Sequence, residues 1–137
     1  MTDQSELDAN IVEDVADALI YSDRYGTITR WNRASTALFG FSAGEALGQN
    51  LDLIIPEHLR AAHWRGFEAA LSSGTMKLAG RPTLTRALHK SGRKLYIEMT
   101  FALVRDAAGA VQGSVAMARD VTERVERERA AKAAQNS

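Results

Sequence analysis

The sequence predicts an α+β domain in which an antiparallel sheet carries its helices together on one face. Three observations predict it. Strand-like runs come in pairs joined by turn chemistry: "ADALIYSD" and "TITRW" across "DRYG", then "LYIEMTFALV" and "VQGSVAMARD" across "RDAAGA". Helical spacing is gathered between these two pairs. Hairpin-joined strands with segregated helices imply a single sheet with one covered face. The 137 residues suffice for one core and not for two.

Residues 5 to 16 read as a helix capped by Ser5, with Leu7, Ile11, Val12 and Val15 at helical spacing. Residues 17 to 31 read as the first hairpin. Residues 33 to 50 hold short helical pieces, with Gly40 and Gly48 as punctuation. In "SAGE" the Ser42 hydroxyl and Glu45 have the spacing of a capping box. Pro56 opens a longer helix, where its missing N–H costs nothing, and Gly74 closes it. Its expected apolar stripe is Leu59, Ala62, His63, Gly66, Phe67, Ala70 and Leu71. Its expected wet face is Glu57, Arg60, Arg65 and Glu68, with Trp64 off the stripe as an exposed contact residue. "TLTRALHK" is the third strand. The fourth places Leu95, Ile97, Met99, Phe101 and Leu103 on one face by strict alternation. From Thr122 the chain reads as a short, charged helical stub with a poor heptad pattern.

Composition excludes several classes of function. The chain has zero formal net charge and no cysteine. Dispersed Lys and Arg argue against a nucleic-acid surface, which needs them clustered. Without cysteine there are no disulfides, thiolate metal sites or cysteine nucleophiles. No apolar run approaches the roughly 18 residues of a membrane span, and the acidic, polar "MTDQSELDAN" is unlike a secretory signal, so a cytoplasmic location is expected. No nucleophile motif, phosphate-cradling glycine loop or paired carboxylates appear, so the chain is not expected to be an enzyme.

Three separated stretches carry a resemblance. "DALIYSDRYGTITRWNRASTALFGFSAGEALGQNLDLIIPEHL", "LHKSGRKLYIEMTFALVRDAAGAVQG" and "ARDVTER" resemble, in order and spacing, the PAS domain. The resemblance covers roughly residues 8 to 125. It implies a five-stranded antiparallel sheet flanked by short helices, with a ligand space between sheet and helix that holds haem, flavin, a small metabolite or nothing. It divides the chain into an N-terminal flanking helix (1–16), a PAS sensor domain (17–121) and a C-terminal output helix (122–137). Signal would leave through Asp120 and Thr122, which match the closing motif; the Asp120 carboxylate also has the place of a helix cap.

His63 is the residue in question. A histidine on an apolar helix face is either a core residue bonded to backbone or a ligand. Small residues beside it, Gly66 among them, leave room for a flat molecule. "PEHLRAAH" is similar to the context of the iron-binding histidine in haem PAS domains of rhizobial oxygen-sensing kinases. That resemblance implies haem b, with His63 as axial ligand and a diatomic gas on the far side. The relatives' distal methionine and arginine positions fall here on Arg81 and Thr83, matching neither. Arg81 is a donor to a bound gas or a propionate partner, or else a solvated side chain. Met99, Met117 and Met76 are candidate sixth ligands or core filler. Trp31 and Asn32 resemble residues of flavin-binding PAS domains. His89 either lines the space or faces water, and His58 is expected to be exposed. The expected partners are a second copy, met through Leu7, Ile11 and Val15, and a downstream signalling protein or effector domain.

Overall fold

A computed structural model describes residues 3–76 and 80–136. Met1, Thr2 and Ser137, at the ends of the expected flanking helices, lie outside the described residues, as do residues 77–79. The elements run α1 (Gln4–Asp14), β1 (Ala18–Asp23), β2 (Ile28–Trp31), α2 (Arg33–Phe39), α3 (Ala43–Ala46), a 3-10 turn (Leu51–Ile54), α4 (Glu57–Ser73), β3 (Thr83–Leu88), β4 (Lys94–Arg105), β5 (Val111–Asp120) and α5 (Thr122–Gln135). The strands form one five-stranded antiparallel sheet in the order β2-β1-β5-β4-β3. The chain leaves the sheet at one edge, β2, and returns at the other, β3. The helices between them make that crossing, which fixes the face they cover.

Side-chain alternation selects the inner face. Ala18 of β1 sits opposite Ala118 of β5, and Ala118 sits opposite Met99 of β4. With Ile20, Ala87, Leu95 and Ile97 they form the floor of the core. Trp31, Phe39, Ala46 and Ile54 close it from above. The expected alternation of β4 is realised: Leu95, Ile97 and Met99 are buried, and Phe101 packs against the same cluster.

Local signals hold at most helix ends. The Ser42–Glu45 capping box is formed in both directions, and Gly74 ends α4 in the left-handed conformation at φ 72°. Two ends differ from expectation. Asp3, not Ser5, caps α1, its Oδ1 accepting the Ser5 N–H at 3.2 Å. The carboxyl-terminal segment is no short stub: α5 is continuous to Gln135, with Val125 buried and an Arg124–Glu128 pair at i,i+4 spacing (3.8 Å) along it.

Candidate functional site

Burial along α4 defines which way it faces. Leu59, His63, Phe67 and Leu71 are half-buried, and Ala70 is its one fully buried residue. The helix therefore rests lightly on the sheet. On the inner face of the sheet the positions of the central strand β5 are small: Ser114, Ala116 and Ala118, aligned with Leu103, Phe101 and Met99 of β4.

Among the described residues His63 has no hydrogen-bond partner at Nδ1, although that atom is buried. Burial pushes its pKa below the usual 6.5, with the Asp52 charge pulling the other way. A desolvated ring favours the neutral imidazole, the form that binds metals. Among the described residues no group of three or more His, Cys, Asp or Glu could hold a bare metal ion. A metal carried in its own macrocycle asks the protein for one imidazole at minimum.

The other expected residues do not gather at one place. Met99 lies on the inner face and is 7% exposed, packed into the core. Met117 does not join it: it pairs with Leu19 and Thr100, so it stands on the opposite face of the sheet, away from α4. The candidate assignment of Met117 to the ligand space is corrected by this register. "VQGSVAMARD" is apolar enough on both faces that alternation alone did not decide it. Gly66 and Ala62 are exposed, off the inner stripe; a Cβ on Gly66 would meet nothing within 4 Å. Arg81 is exposed just before β3. Met76 is half-buried near the start of the α4–β3 connection.

Trp64 reverses its expectation. It is half-buried, and its indole N–H donates to Asp52 Oδ1 at 2.9 Å. Its ring lies over Gly26 in the β1–β2 turn. Arg60, expected on the wet face, instead donates from Nε to the Ile55 carbonyl at 3.0 Å. His89 neither lines the ligand space nor stands free: its ring lies on Gly40, and its Nδ1 accepts the Ser91 N–H at 3.1 Å. His58 is exposed as expected. Ser22 belongs to no sequence motif, yet its hydroxyl is a second buried polar group without a partner among the described residues, in a residue 1% exposed. A polar residue in phase with Ala18 and Ile20 was the available signal.

At the far end of the sheet, α5 is bolted to β4. Asp120 Oδ1 accepts the Thr122 N–H at 2.9 Å. The Thr122 hydroxyl accepts the Tyr96 N–H (2.9 Å) and donates to the Tyr96 carbonyl (3.3 Å). The Val121 N–H donates to the same carbonyl. The Tyr96 ring carries the Arg129 guanidinium at 4.8 Å and that of Arg86 at 5.9 Å. These bonds tie β4 to the first turn of α5.

A sheet of this order, with its helices inserted between the edge strands and an exit helix fastened to β4, is the architecture of a signal-sensing domain. The PAS fold family matches residues 6–121, and the chain belongs to the PAS family. It is 31% identical over 115 residues, 83% of its length, to an uncharacterized protein of Azorhizobium caulinodans. It is 39% identical over 54 residues, 39% of its length, to the sensor protein FixL of Bradyrhizobium diazoefficiens. The matched regions span 15% and 11% of those two proteins. The PAS domain of a Colwellia psychrerythraea protein superposes with a TM-score of 0.72 at 25% identity, over 88% of this chain and 99% of that one. An RNA-binding light-oxygen-voltage receptor gives 0.73 at 24% identity, over 97% of this chain and 37% of that one, a likeness of fold. Among the described residues no helix is long and apolar enough to cross a membrane.

Proposed function

We propose that this PAS domain is a haem-based gas or redox sensor in which His63 supplies an axial ligand to the iron. One observation carries the reading: a desolvated, neutral-leaning imidazole on the inner side of a lightly seated helix, with its buried Nδ1 unpartnered. A buried polar atom left unpaired in a native fold calls for a ligand or a functional reason. The small side chains Ser114, Ala116 and Ala118 across the sheet and the similarity of "PEHLRAAH" to haem PAS domains support it further. Bound haem would supply an iron site that takes up a diatomic gas or changes oxidation state. His63 would hold the iron, Met99 faces the same layer of the domain, and Arg81 just before β3 is the candidate propionate or gas partner. The domain itself performs no catalysis in this reading. It passes the change through β4 to Tyr96, Thr122 and Asp120, and so to α5 and an effector.

Flavin finds less support. Trp31 donates its indole N–H to the Phe41 carbonyl (3.0 Å), and the Asn32 side chain is engaged by backbone. Both residues therefore serve the fold.

The partner on the N-terminal side is a second copy. Leu7 and Ile11 of α1 are 44% and 57% exposed, and Glu13 and Asp14 hold α1 beside α2 through Arg33. Replacing both Leu7 and Ile11 by Ser is expected to turn a dimer into a monomer in analytical ultracentrifugation.

The function is tested by titrating the purified protein with haemin. A Soret band that saturates at one haem per chain and is lost in His63→Ala is expected. A colourless protein, or one whose spectrum ignores His63, would overturn the reading in favour of a small organic ligand or a pure interaction module.

A further inference from the structure

A histidine bound to a metal is usually aimed by a hydrogen bond at its second ring nitrogen. Among the described residues no hydrogen bond restrains the His63 ring at either nitrogen. Its orientation has to come from ring contacts. Trp64 meets the imidazole edge-on, with centroids 4.6 Å apart at 78°, and Phe67, one turn further on, lies at 5.9 Å. Trp64 and Phe67 also meet edge-on at 5.2 Å.

Trp64 is tied to two chain segments outside α4. Its N–H reaches Asp52 in the 3-10 turn at 2.9 Å. Its far edge lies so close to Gly26 that a Cβ there would stand 2.3 Å from Trp64 Cη2. Gly26 is needed twice, for that approach and for its φ of +81°. Asp52 is itself fixed: its N–H donates to Asn50 Oδ1 at 2.8 Å, and its carbonyl accepts from Arg60 Nη2 at 3.3 Å.

We infer that Trp64, latched between Asp52 and Gly26, is the positioning residue that aims the His63 ring at the bound group. The latch takes the place of the hydrogen bond that a metal-bound histidine usually makes at its second ring nitrogen. This inference rests on the haem reading above. It also explains why an indole, and not another aliphatic, occupies the position next to His63: only a long ring with a donor at one edge reaches both anchors.

Trp64→Phe keeps a ring against His63 and removes the donor. Asp52→Leu keeps Trp64 and removes the acceptor, whereas Asp52→Asn retains an acceptor and serves as the rescue. Haemin dissociation, followed by capture with apomyoglobin, is expected to be about tenfold faster in Trp64→Phe and Asp52→Leu and close to wild type in Asp52→Asn. In haem-free protein at pH 8, the His63 ring proton–carbon signals are expected to move in Asp52→Leu, because the indole leaves its seat. Wild-type dissociation rates in both variants overturn the inference. If the wild-type protein takes up no haem, the functional reading fails, and unmoved His63 signals in Asp52→Leu then refute the latch. Should Asp52→Leu not fold, Gly26→Ala displaces the indole from the opposite side and is measured in its place.

Discussion

Asn32 and His63 are both polar side chains turned into the domain, and their surroundings are opposite. Asn32 is 1% exposed. Its Oδ1 accepts the Leu19 N–H (2.9 Å) and the Ser35 N–H (3.0 Å), and its Nδ2 reaches the carbonyls of Asp17 (3.1 Å) and Val15 (3.4 Å). The Ser35 hydroxyl lies 2.9 Å from the same Oδ1 and 3.0 Å from the Leu19 carbonyl. One amide thus joins the end of α1, strand β1 and the first turn of α2. His63 has no such bond at its buried nitrogen. The saturated amide fastens the scaffold, whereas the unsatisfied imidazole is the group that the proposed haem reading accounts for.

The largest test of that contrast is Asn32→Leu. It strips partners from two N–H groups and two carbonyls at once, at roughly 1–3 kcal/mol for each group left buried and unpaired. A loss of at least about 3 kcal/mol is expected in denaturant unfolding after partial relaxation. A loss below about 1 kcal/mol would show that the network is not the scaffold's fastening.

Gly26→Ala comes next. Left-handed backbone costs a residue with a Cβ about 1–2 kcal/mol, and the new methyl also pushes on the Trp64 ring. A drop of that size or more in stability by calorimetry is expected. A neutral result would mean the turn and the indole move apart freely, and α4 is then not anchored there.

His63→Leu in the haem-free protein is expected to be neutral or stabilising by up to about 1 kcal/mol, because an apolar side chain replaces a buried unpaired nitrogen. A clear loss of stability would put His63 on the scaffold side with Asn32.

The pH dependence sharpens the same point. Burial holds the folded-state pKa of His63 below the usual 6.5. Above that pH the ring is neutral in both folded and unfolded chains, and it contributes nothing to the pH dependence. As pH falls below it the unfolded chain takes up the proton first, so stability declines until the folded-state value is passed. The stability gap between His63→Leu and wild type is therefore expected to widen in acid. A gap that stays constant from pH 8 to pH 5 would mean that the ring is solvated.

Much of this was legible before any coordinates, and the reason is local. The Ser42–Glu45 box, the stop at Gly74, the alternation of β4 and the Asp120–Thr122 junction depend on neighbours a few positions apart. The PAS resemblance rested on such pieces, and the family match bears it out. The site was harder to read. Helical periodicity placed Ala62 and Gly66 inward and Trp64 outward, but the rotation of α4 about its axis is set by what Trp64 and Arg60 grip, Asp52 and Ile55. Those partners lie across a turn and belong to no pattern of spacing. Met117 went to the wrong face for a related reason: β5 is apolar on both sides, and only its pairing with Leu19 and Thr100 decides which side is which.

The sequence by itself determined the elements, their order and their ends, because caps, turns and alternation are short-range chemistry. Tertiary structure decided which polar groups are satisfied. Whether Asn32 finds its backbone partners and His63 does not depends on segments far apart in the chain, and the cost of burying a polar atom is settled only when those segments meet.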